Sequence, residues 1–227
     1  MNIKRIKNES YMTLIFLTIQ TIIFVLMQSG LFGDGQSATT IINFGGLYGL
    51  QVVEDPTKLW HLISPIFVHI GFSHFLFNSV VLYFLGKQTE EVFGHLRFSI
   101  IYLGSGLLGN CLTFYLDTYS ISAGASGGLL GLFGAFIVLR FLVPNNAMIQ
   151  GLSQSYFILM ILTLVSSVIQ PNIAFWGHLG GLIGGALLTV VLGVGRQSFN
   201  KHLRIVSFIF YIFLIISTIF LTFAKFH

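Results

Sequence analysis

The sequence predicts an all-α fold, a bundle of helices that crosses a lipid bilayer several times. Charged residues make up 8% of the chain and hydrophobic residues 55%, whereas soluble domains carry roughly 25% charged residues. The mean hydropathy is +0.88, and long stretches contain no Asp, Glu, Lys or Arg. So little charge excludes a free soluble protein, and so much hydrophobicity excludes a disordered chain.

Charge-free stretches locate the membrane spans, because about 20 apolar residues cross the hydrocarbon core of a bilayer. Proline and asparagine interrupt the longest stretch, 141–195, at Pro144-Asn145-Asn146 and at Gln170-Pro171-Asn172. The sequence therefore predicts seven spans, and we expect the phenylalanine-rich last span to face lipid. The expected spans are 11–28, 71–86, 98–116, a short helix within 118–139, 150–169, 173–194 and 205–224.

Basic residues indicate the orientation of the spans. With the N-terminus in the cytoplasm, nine Lys and Arg residues fall on the cytoplasmic side, and only Lys58 and Lys225 fall outside. The basic residues form no stripe, which argues against a nucleic-acid partner. The small size and the absence of a transit segment favour a prokaryotic plasma membrane. The expected organisation is a cytoplasmic tail (1–10), a six-helix domain (11–195) with a long external loop at about 29–66, a cytoplasmic loop (196–204), and a seventh helix with a short external tail (205–227).

Polar side chains recur near the outer start of the second, fourth and sixth spans, which run in the same direction. His74 and Asn78 are four residues apart on the second span and share one helix face. Ser126 stands at the start of the fourth span, and His178 lies roughly 8 Å past the start of the sixth. Polar groups inside spans are costly and tend to mark function. The pattern therefore predicts one site below the outer surface.

The residue types at this site match nucleophilic acyl chemistry. A serine hydroxyl becomes an effective nucleophile when a base lies within hydrogen-bond reach, and the imidazole of His178 is a suitable base. His74, Asn78 and the backbone N–H groups at the start of the fourth span can stabilise a developing oxyanion. None of the seven acidic residues is placed to orient His178, so we expect a Ser–His dyad rather than a triad.

Each of these residues also has a purely structural interpretation. Ser126 can be a helix N-cap, His178 a polar contact between helices, and Asn78 an interhelical hydrogen-bonding residue. For His69 a structural role and a role in supporting the substrate are about equally favoured. We expect no metal site, because His69 and His74 are five residues apart and no HExxH motif occurs.

Three motifs, in order along the chain, resemble those of the rhomboid intramembrane serine proteases. Gly124-Ala125-Ser126-Gly127 is similar to the GxSG motif of that family, and the stretch from His74 to Asn78 resembles its HxxxN motif on the second helix. Gly177-His178-Leu179-Gly180-Gly181 is similar to its sixth-helix histidine motif. The resemblance covers about residues 55–195, and it is the ordered set that is specific rather than any single motif.

This resemblance implies a rhomboid-like six-helix core with an additional seventh span. It implies Ser126 as nucleophile, His178 as base, and His74 and Asn78 as residues that stabilise the oxyanion. The remaining supporting residues are His69, Gly124 and Gly127. The implied activity is hydrolysis of peptide bonds in or near transmembrane segments of single-span or polytopic membrane proteins, without a cofactor.

Two positions depart from the family pattern, and two rival functions stay open. The family's tryptophan–arginine pair is Trp60-His61 here, and the aromatic residue often found four positions after the serine is Leu130. One rival function is a catalytically inactive rhomboid-like protein that binds membrane proteins; such relatives lack the serine or the histidine. The other is a small-molecule transporter, for which an inverted repeat or an intramembrane carboxylate would be expected.

Overall fold

In the computed structural model, which describes residues 10–169 and 174–226, the chain folds as a bundle of long helices. This confirms the predicted helical bundle. The predicted turn at Gln170-Pro171-Asn172 and most of the predicted N-terminal tail lie outside the described residues. The described α-helices are α1 (Tyr11–Gln28), α2 (Ala38–Asn43), α3 (Gly49–Glu54), α4 (Phe72–Val81), α5 (Lys87–Phe93), α6 (His95–Leu116), α7 (Ser126–Leu142), α8 (Ala147–Ile169), α9 (Phe175–Leu192) and α10 (Lys201–Phe226).

Five of these helices, α1, α6, α8, α9 and α10, are long and apolar enough to cross a membrane. The second predicted span corresponds to α4 and α5, which a π-helical turn at Leu82–Gly86 joins into one helical stretch. The fourth corresponds to α7, which has 17 residues. Together these segments make the protein an integral multi-pass membrane protein.

α7 is the shortest of the long helices in the bundle. Its 17 residues make a helix about 26 Å long, slightly less than the thickness of about 30 Å of a bilayer's hydrocarbon core. Arg140 near its C-terminal end is exposed, whereas Ser126 at its start is half-buried.

Glycine recurs every four residues on α7 (Gly127, Gly131) and on α9 (Gly177, Gly181, Gly185), a spacing that predicts close approach of the two helices. The structure shows their backbones in direct contact. A Cβ atom on Gly181 would collide with the carbonyl of Gly127, and one on Gly185 would collide with the carbonyl of Gly131. Because the paired positions advance together along both helices, α7 and α9 run in the same direction. α9 approaches α6 in the same close manner, since a Cβ atom on Gly180 would lie 2.9 Å from Cα of Gly109.

Two helices begin a few residues earlier than the sequence predicts, and an asparagine caps the start of each. The backbone N–H of Ile149 donates to Asn146 Oδ1 at 3.1 Å, and α8 begins at Ala147 rather than at 150. In the same way the N–H of Leu203 donates to Asn200 Oδ1 at 2.8 Å, and α10 begins at Lys201. The first turn of α10 is missed because it contains charged residues, and that of α8 because the Pro144-Asn145-Asn146 segment predicts a longer break.

The segment between α1 and α4, which we call loop one (29–71), is ordered rather than irregular. It contains α2, α3 and two 3₁₀ segments. Its strand β1 (Leu47–Tyr48) pairs antiparallel with β2 (Ile121–Ser122), with Leu47 opposite Ser122. This small ladder, an addition to the predicted all-α fold, ties loop one to the segment that precedes α7. Asp55 caps the first 3₁₀ segment through Thr57, whose hydroxyl and amide hydrogen bonds lower the pKa of that carboxyl.

Glu90 anchors the start of α1 at the opposite end of the bundle. Its side chain is 2% exposed, and its carboxylate accepts hydrogen bonds from the backbone N–H groups of Met12 at 2.9 Å and Thr13 at 2.8 Å. The Thr13 hydroxyl and the imidazole of His95 also contact the carboxylate. These bonds satisfy first-turn N–H groups of α1 that have no partner within the helix.

We expect Glu90→Ala to lower the free energy of unfolding by roughly 2–4 kcal/mol, because it leaves several buried donors without an acceptor. Chemical denaturation in detergent micelles measures this change. Glu54→Ala is the matched control, since Glu54 is an exposed carboxylate in loop one. Equal stability of the two variants would contradict the anchoring role of Glu90.

Candidate active site

Gly124 brings the imidazole of His74 close to the residue that begins α7. The glycine has a φ of +131°, and a Cβ atom there would lie 2.7 Å from Cε1 and 2.8 Å from Nε2 of His74. The same position is 3.8 Å from Ser126 Oγ. The backbone N–H of Gly124 donates to the carbonyl of Pro65 at 2.9 Å. Both the backbone angle and the available space therefore require glycine at this position.

His69 supports the same stretch of backbone from the other side. It is fully buried, and its Nε2 accepts a hydrogen bond from the backbone N–H of Ala125 at 3.4 Å. The rings of His69 and His74 are edge to face, with centroids 5.3 Å apart. The structure thus places His69 against the residue that immediately precedes Ser126.

Ser126 is the first residue of α7, and its side chain is half-buried. The N-cap of α7 is Ala125, which has no side-chain capping hydrogen bond. Ser126 therefore does not occupy the capping position that its residue type also suits. As the first residue of α7 it belongs to the first turn, whose backbone N–H groups have no acceptor within the helix.

His178 lies in the first turn of α9, next to the contact between α7 and α9. The carbonyl of Gly177 would be 3.2 Å from a Cβ atom on Gly127, so the residues adjacent to Ser126 and His178 touch. His178 is 5% exposed. In the part of the chain that the structure describes, His178 Nδ1 has no hydrogen-bond partner, so no carboxylate orients the ring.

Hydrogen bonds between described residues do not include one from Ser126 Oγ to His178. Catalytic hydrogen bonds are often long without substrate and shorten in the reacting complex. The structure therefore brings the two residues to the same end of two adjacent parallel helices, and it leaves the side-chain contact between them open.

Asn78 lies one turn after His74 on α4, as the spacing predicts. It is 2% exposed, and its Nδ2 donates to the carbonyl of His74 at 2.9 Å. An amide group carries two N–H bonds, and this contact within the helix uses one of them. Among the described residues, Asn78 Oδ1 has no partner.

Two polar side chains hold loop one in place through contacts that the sequence does not reveal. One contact lies within the loop and the other joins the loop to α6. His61 is 3% exposed, and its Nδ1 contacts the carbonyl of Gly46 at 2.8 Å. Asn110 of α6 donates to the carbonyl of Leu62 at 2.9 Å. The departure at Trp60-His61 draws attention to His61, whereas nothing in the local sequence around Asn110 indicates its role. The other departure, Leu130, is 1% exposed in the main hydrophobic core.

The arrangement can support nucleophilic chemistry at Ser126. Ser126 stands at a helix N-terminus next to Gly124 and Ala125, which contact His74 and His69, and close to the helix contact beside His178. The described residues include no group of three or more His, Cys, Asp or Glu side chains that could hold a metal ion.

Comparison with known proteins identifies the family. The Rhomboid domain family matches residues 56–195, more than half of the chain. Rhomboid protease GluP of Bacillus subtilis (strain 168) is 31% identical over 192 residues, which cover 84% of this chain and 37% of GluP. YdcA of the same organism is 37% identical over 143 residues, which cover 63% of this chain and 70% of YdcA.

A plant relative shows a similar degree of identity. RHOMBOID-like protein 6, mitochondrial, of Arabidopsis thaliana is 32% identical over 173 residues, which cover 75% of this chain and 55% of the plant protein. The chain thus spans little more than a third of GluP and about half of the plant protein. The family match and these relatives show that the chain belongs to the rhomboid family.

Proposed function

We propose that this protein is an intramembrane serine endopeptidase that hydrolyses peptide bonds in or near transmembrane segments of other membrane proteins. Ser126 is the proposed nucleophile and His178 the proposed base. One observation carries the proposal: α7 and α9 are parallel and in backbone contact at Gly127 and Gly177, and the hydroxyl and the imidazole stand next to that contact. The relatives named above, among them a rhomboid protease, support the same activity.

In the proposed reaction, Ser126 Oγ attacks the scissile carbonyl carbon while His178 accepts the hydroxyl proton. The carbonyl oxygen becomes an oxyanion, which first-turn N–H groups of α7 and the side chains of His74 and Asn78 stabilise. Collapse of this intermediate breaks the C–N bond, and His178 returns the proton to the leaving amine. A water molecule then attacks the acyl ester while His178 accepts one of its protons. The C–O bond of the ester breaks, His178 returns the proton to Ser126 Oγ, and the carboxylic acid product leaves.

The dyad rather than a triad is favoured because His178 Nδ1 lacks a partner within the described residues. The burial of His178 and the glycine contacts on both sides of α9 restrict the ring instead. An imidazole held by packing needs no carboxylate to keep its position, although it loses the extra stabilisation of its protonated form that a carboxylate would provide.

The proposed site opens to the outer face, with the N-terminus in the cytoplasm of a prokaryotic cell. Basic residues support this orientation, because Arg97 and Arg204 contact the carbonyls of Gly195 and Val191 at the end opposite Ser126. The short length of α7 supports a position of Ser126 below the outer surface. We propose the organisation predicted from the sequence, a tail (1–10), a catalytic domain (11–195), a cytoplasmic loop and a seventh helix, with the loop ending and the helix beginning at Lys201 rather than at 205.

Incubating the purified protein in detergent with a tagged single-span membrane protein tests the proposal. We expect wild-type protein to cleave the substrate, and Ser126→Ala and His178→Ala to leave it intact. Cleavage that persists in both variants would dismiss the dyad. If no single-span substrate is cleaved but several are bound, the inactive rhomboid-like function is favoured instead.

Asn78→Ala is expected to lower kcat about 10²- to 10³-fold with little change in KM, because an oxyanion donor acts on the transition state rather than on bound substrate. Initial rates over a range of substrate concentrations separate the two constants. Ser73→Ala, an exposed position on the same helix, is the matched control and should retain wild-type kcat. An unchanged kcat in Asn78→Ala would assign the amide a purely structural role.

A further inference from the structure

The last helix, α10, lies outside the part of the chain that matches the Rhomboid domain, yet one of its faces is packed against the bundle. The hydroxyl of Tyr211 donates to the carbonyl of Gly104 in α6 at 2.9 Å, and Thr218 and Thr222 are 5% and 0% exposed. The sequence-based expectation of a lipid-facing helix therefore holds for only one face of α10.

The outer half of α10 forms one wall of a second hydrophobic cluster. Its Ile215, Ile219, Phe223 and Phe226 recur at intervals of four, four and three residues, which is one face of a helix. The edge of Phe223 meets Phe114 of α6, with ring centroids 5.9 Å apart. The residues of the cluster that come from loop one are Leu47, Val52, Val53 and Leu62.

Phe226 also reaches the segment between α6 and α7, since its ring meets the edge of Tyr119 with centroids 6.1 Å apart. Tyr119 stands two residues before β2, the strand that leads to Gly124 and Ser126. The outer end of α10 thus touches both loop one and the segment that carries the proposed nucleophile.

Loop one in turn contacts the segment that precedes Ser126 at two points. Leu47, which is 1% exposed in the cluster, lies in β1 and is paired with Ser122 of β2. The carbonyl of Pro65 accepts the N–H of Gly124. A shift of loop one would therefore move the backbone immediately before Ser126.

We propose that the outer end of α10 positions the Ser126 segment, with Phe223 and Phe226 as positioning residues that act through loop one and β2. The kinetic part of this inference rests on the proposed function. Aromatic rings suit such a role because each fills a large volume with few rotatable bonds. A misplacement of 1 Å at a reacting group can cost about 10²-fold in rate, so a partial shift has a measurable effect.

The test compares Phe223→Ala/Phe226→Ala with Phe220→Ala, a control on the same helix whose side chain is 67% exposed. Two rates are measured below the melting temperature of each variant: kcat for substrate cleavage, and the rate of covalent labelling of Ser126 by a fluorophosphonate at saturation. We expect the double variant to lose about tenfold in both rates with a small change in KM, and Phe220→Ala to match wild type. Wild-type rates in the double variant, or equal losses in Phe220→Ala, would overturn the inference.

Milder variants decide the question if the double variant does not fold. Phe223→Leu/Phe226→Leu keeps most of the apolar volume and should lose about two- to threefold in kcat, while Phe220→Leu stays at the wild-type rate. Equal kcat in these two would overturn the proposal.

A structural readout separates this inference from the proposed function. Hydrogen exchange at the backbone amides of Leu47 and Tyr48 should accelerate in the double variant but not in Phe220→Ala. If wild type neither cleaves nor labels, the proposed function fails, and this exchange result still decides whether α10 holds loop one.

Discussion

Ser126→Ala is expected to lower kcat for cleavage of a membrane-protein substrate on the order of 10⁴-fold or more, because no other group in the proposed reaction can form the acyl intermediate. The variant should fold normally, since Ser126 is half-buried and does not occupy the capping position of α7. Its melting temperature should stay within a few degrees of wild type.

His178→Ala should show nearly the same loss, and combining the two substitutions should add little, because residues that act as one unit are strongly non-additive. Ser120→Ala is a control for removal of a hydroxyl, as Ser120 is exposed and bonds to Asp117 at 2.7 Å. Substantial cleavage by Ser126→Ala, with the control behaving as wild type, would contradict the proposed nucleophile.

Gly181→Ala is expected to reduce both stability and activity, because its new Cβ atom would collide with the backbone of Gly127. A backbone group cannot rotate away as a flexible side chain can, so α7 and α9 must move apart. Overpacking of this kind costs typically 1–3 kcal/mol and occasionally more. The separation also displaces Ser126 from His178, and we expect kcat to fall about 10²-fold.

Gly151→Ala is the matched control for this prediction. Gly151 lies within α8, and a Cβ atom there would meet no atom within 4 Å. Because alanine favours a helix over glycine by roughly 1 kcal/mol, this variant should be as stable as wild type or more so. Thermal unfolding and cleavage rates measured in parallel test the pair, and equal behaviour of the two variants would refute the role of the glycine contact.

The helical bundle could be predicted from the sequence because membrane spans leave a strong local signal. A stretch of about 20 residues without charge indicates a membrane span independently of the rest of the sequence. The predicted ends of the helices are less accurate, as the caps at Asn146 and Asn200 show. A cap is a single side chain, and its contact depends on local geometry. The first turn of α10 also contains charged residues, so a search for charge-free stretches places the start of this helix too late.

The ordered structure of loop one could not be predicted, because its contacts join residues distant in sequence. Leu47 pairs with Ser122, and Asn110 bonds to the carbonyl of Leu62. No periodicity within 29–66 encodes either contact. Likewise, the role of Glu90 in holding the start of α1 depends on a contact with Thr13, 77 positions earlier in the sequence.

The candidate site is predictable as a set of residue types but not as a geometry. The motifs around His74, Ser126 and His178 select the chemistry, and the glycine rows predict the approach of α7 to α9. The contacts of Gly124 with His74 and of Ala125 with His69 depend on how loop one folds over α7. The roles of the individual side chains stay predictions that the variants above test.

Covalent labelling with a fluorophosphonate, followed by peptide mapping, tests whether Ser126 is the nucleophile, because an activated hydroxyl attacks the phosphorus atom of the reagent fastest and displaces fluoride. We predict a single adduct, on Ser126, in wild-type protein and at least about a 10²-fold slower labelling in His178→Ala. An adduct on another residue, or undiminished labelling of Ser126 without His178, would contradict the account.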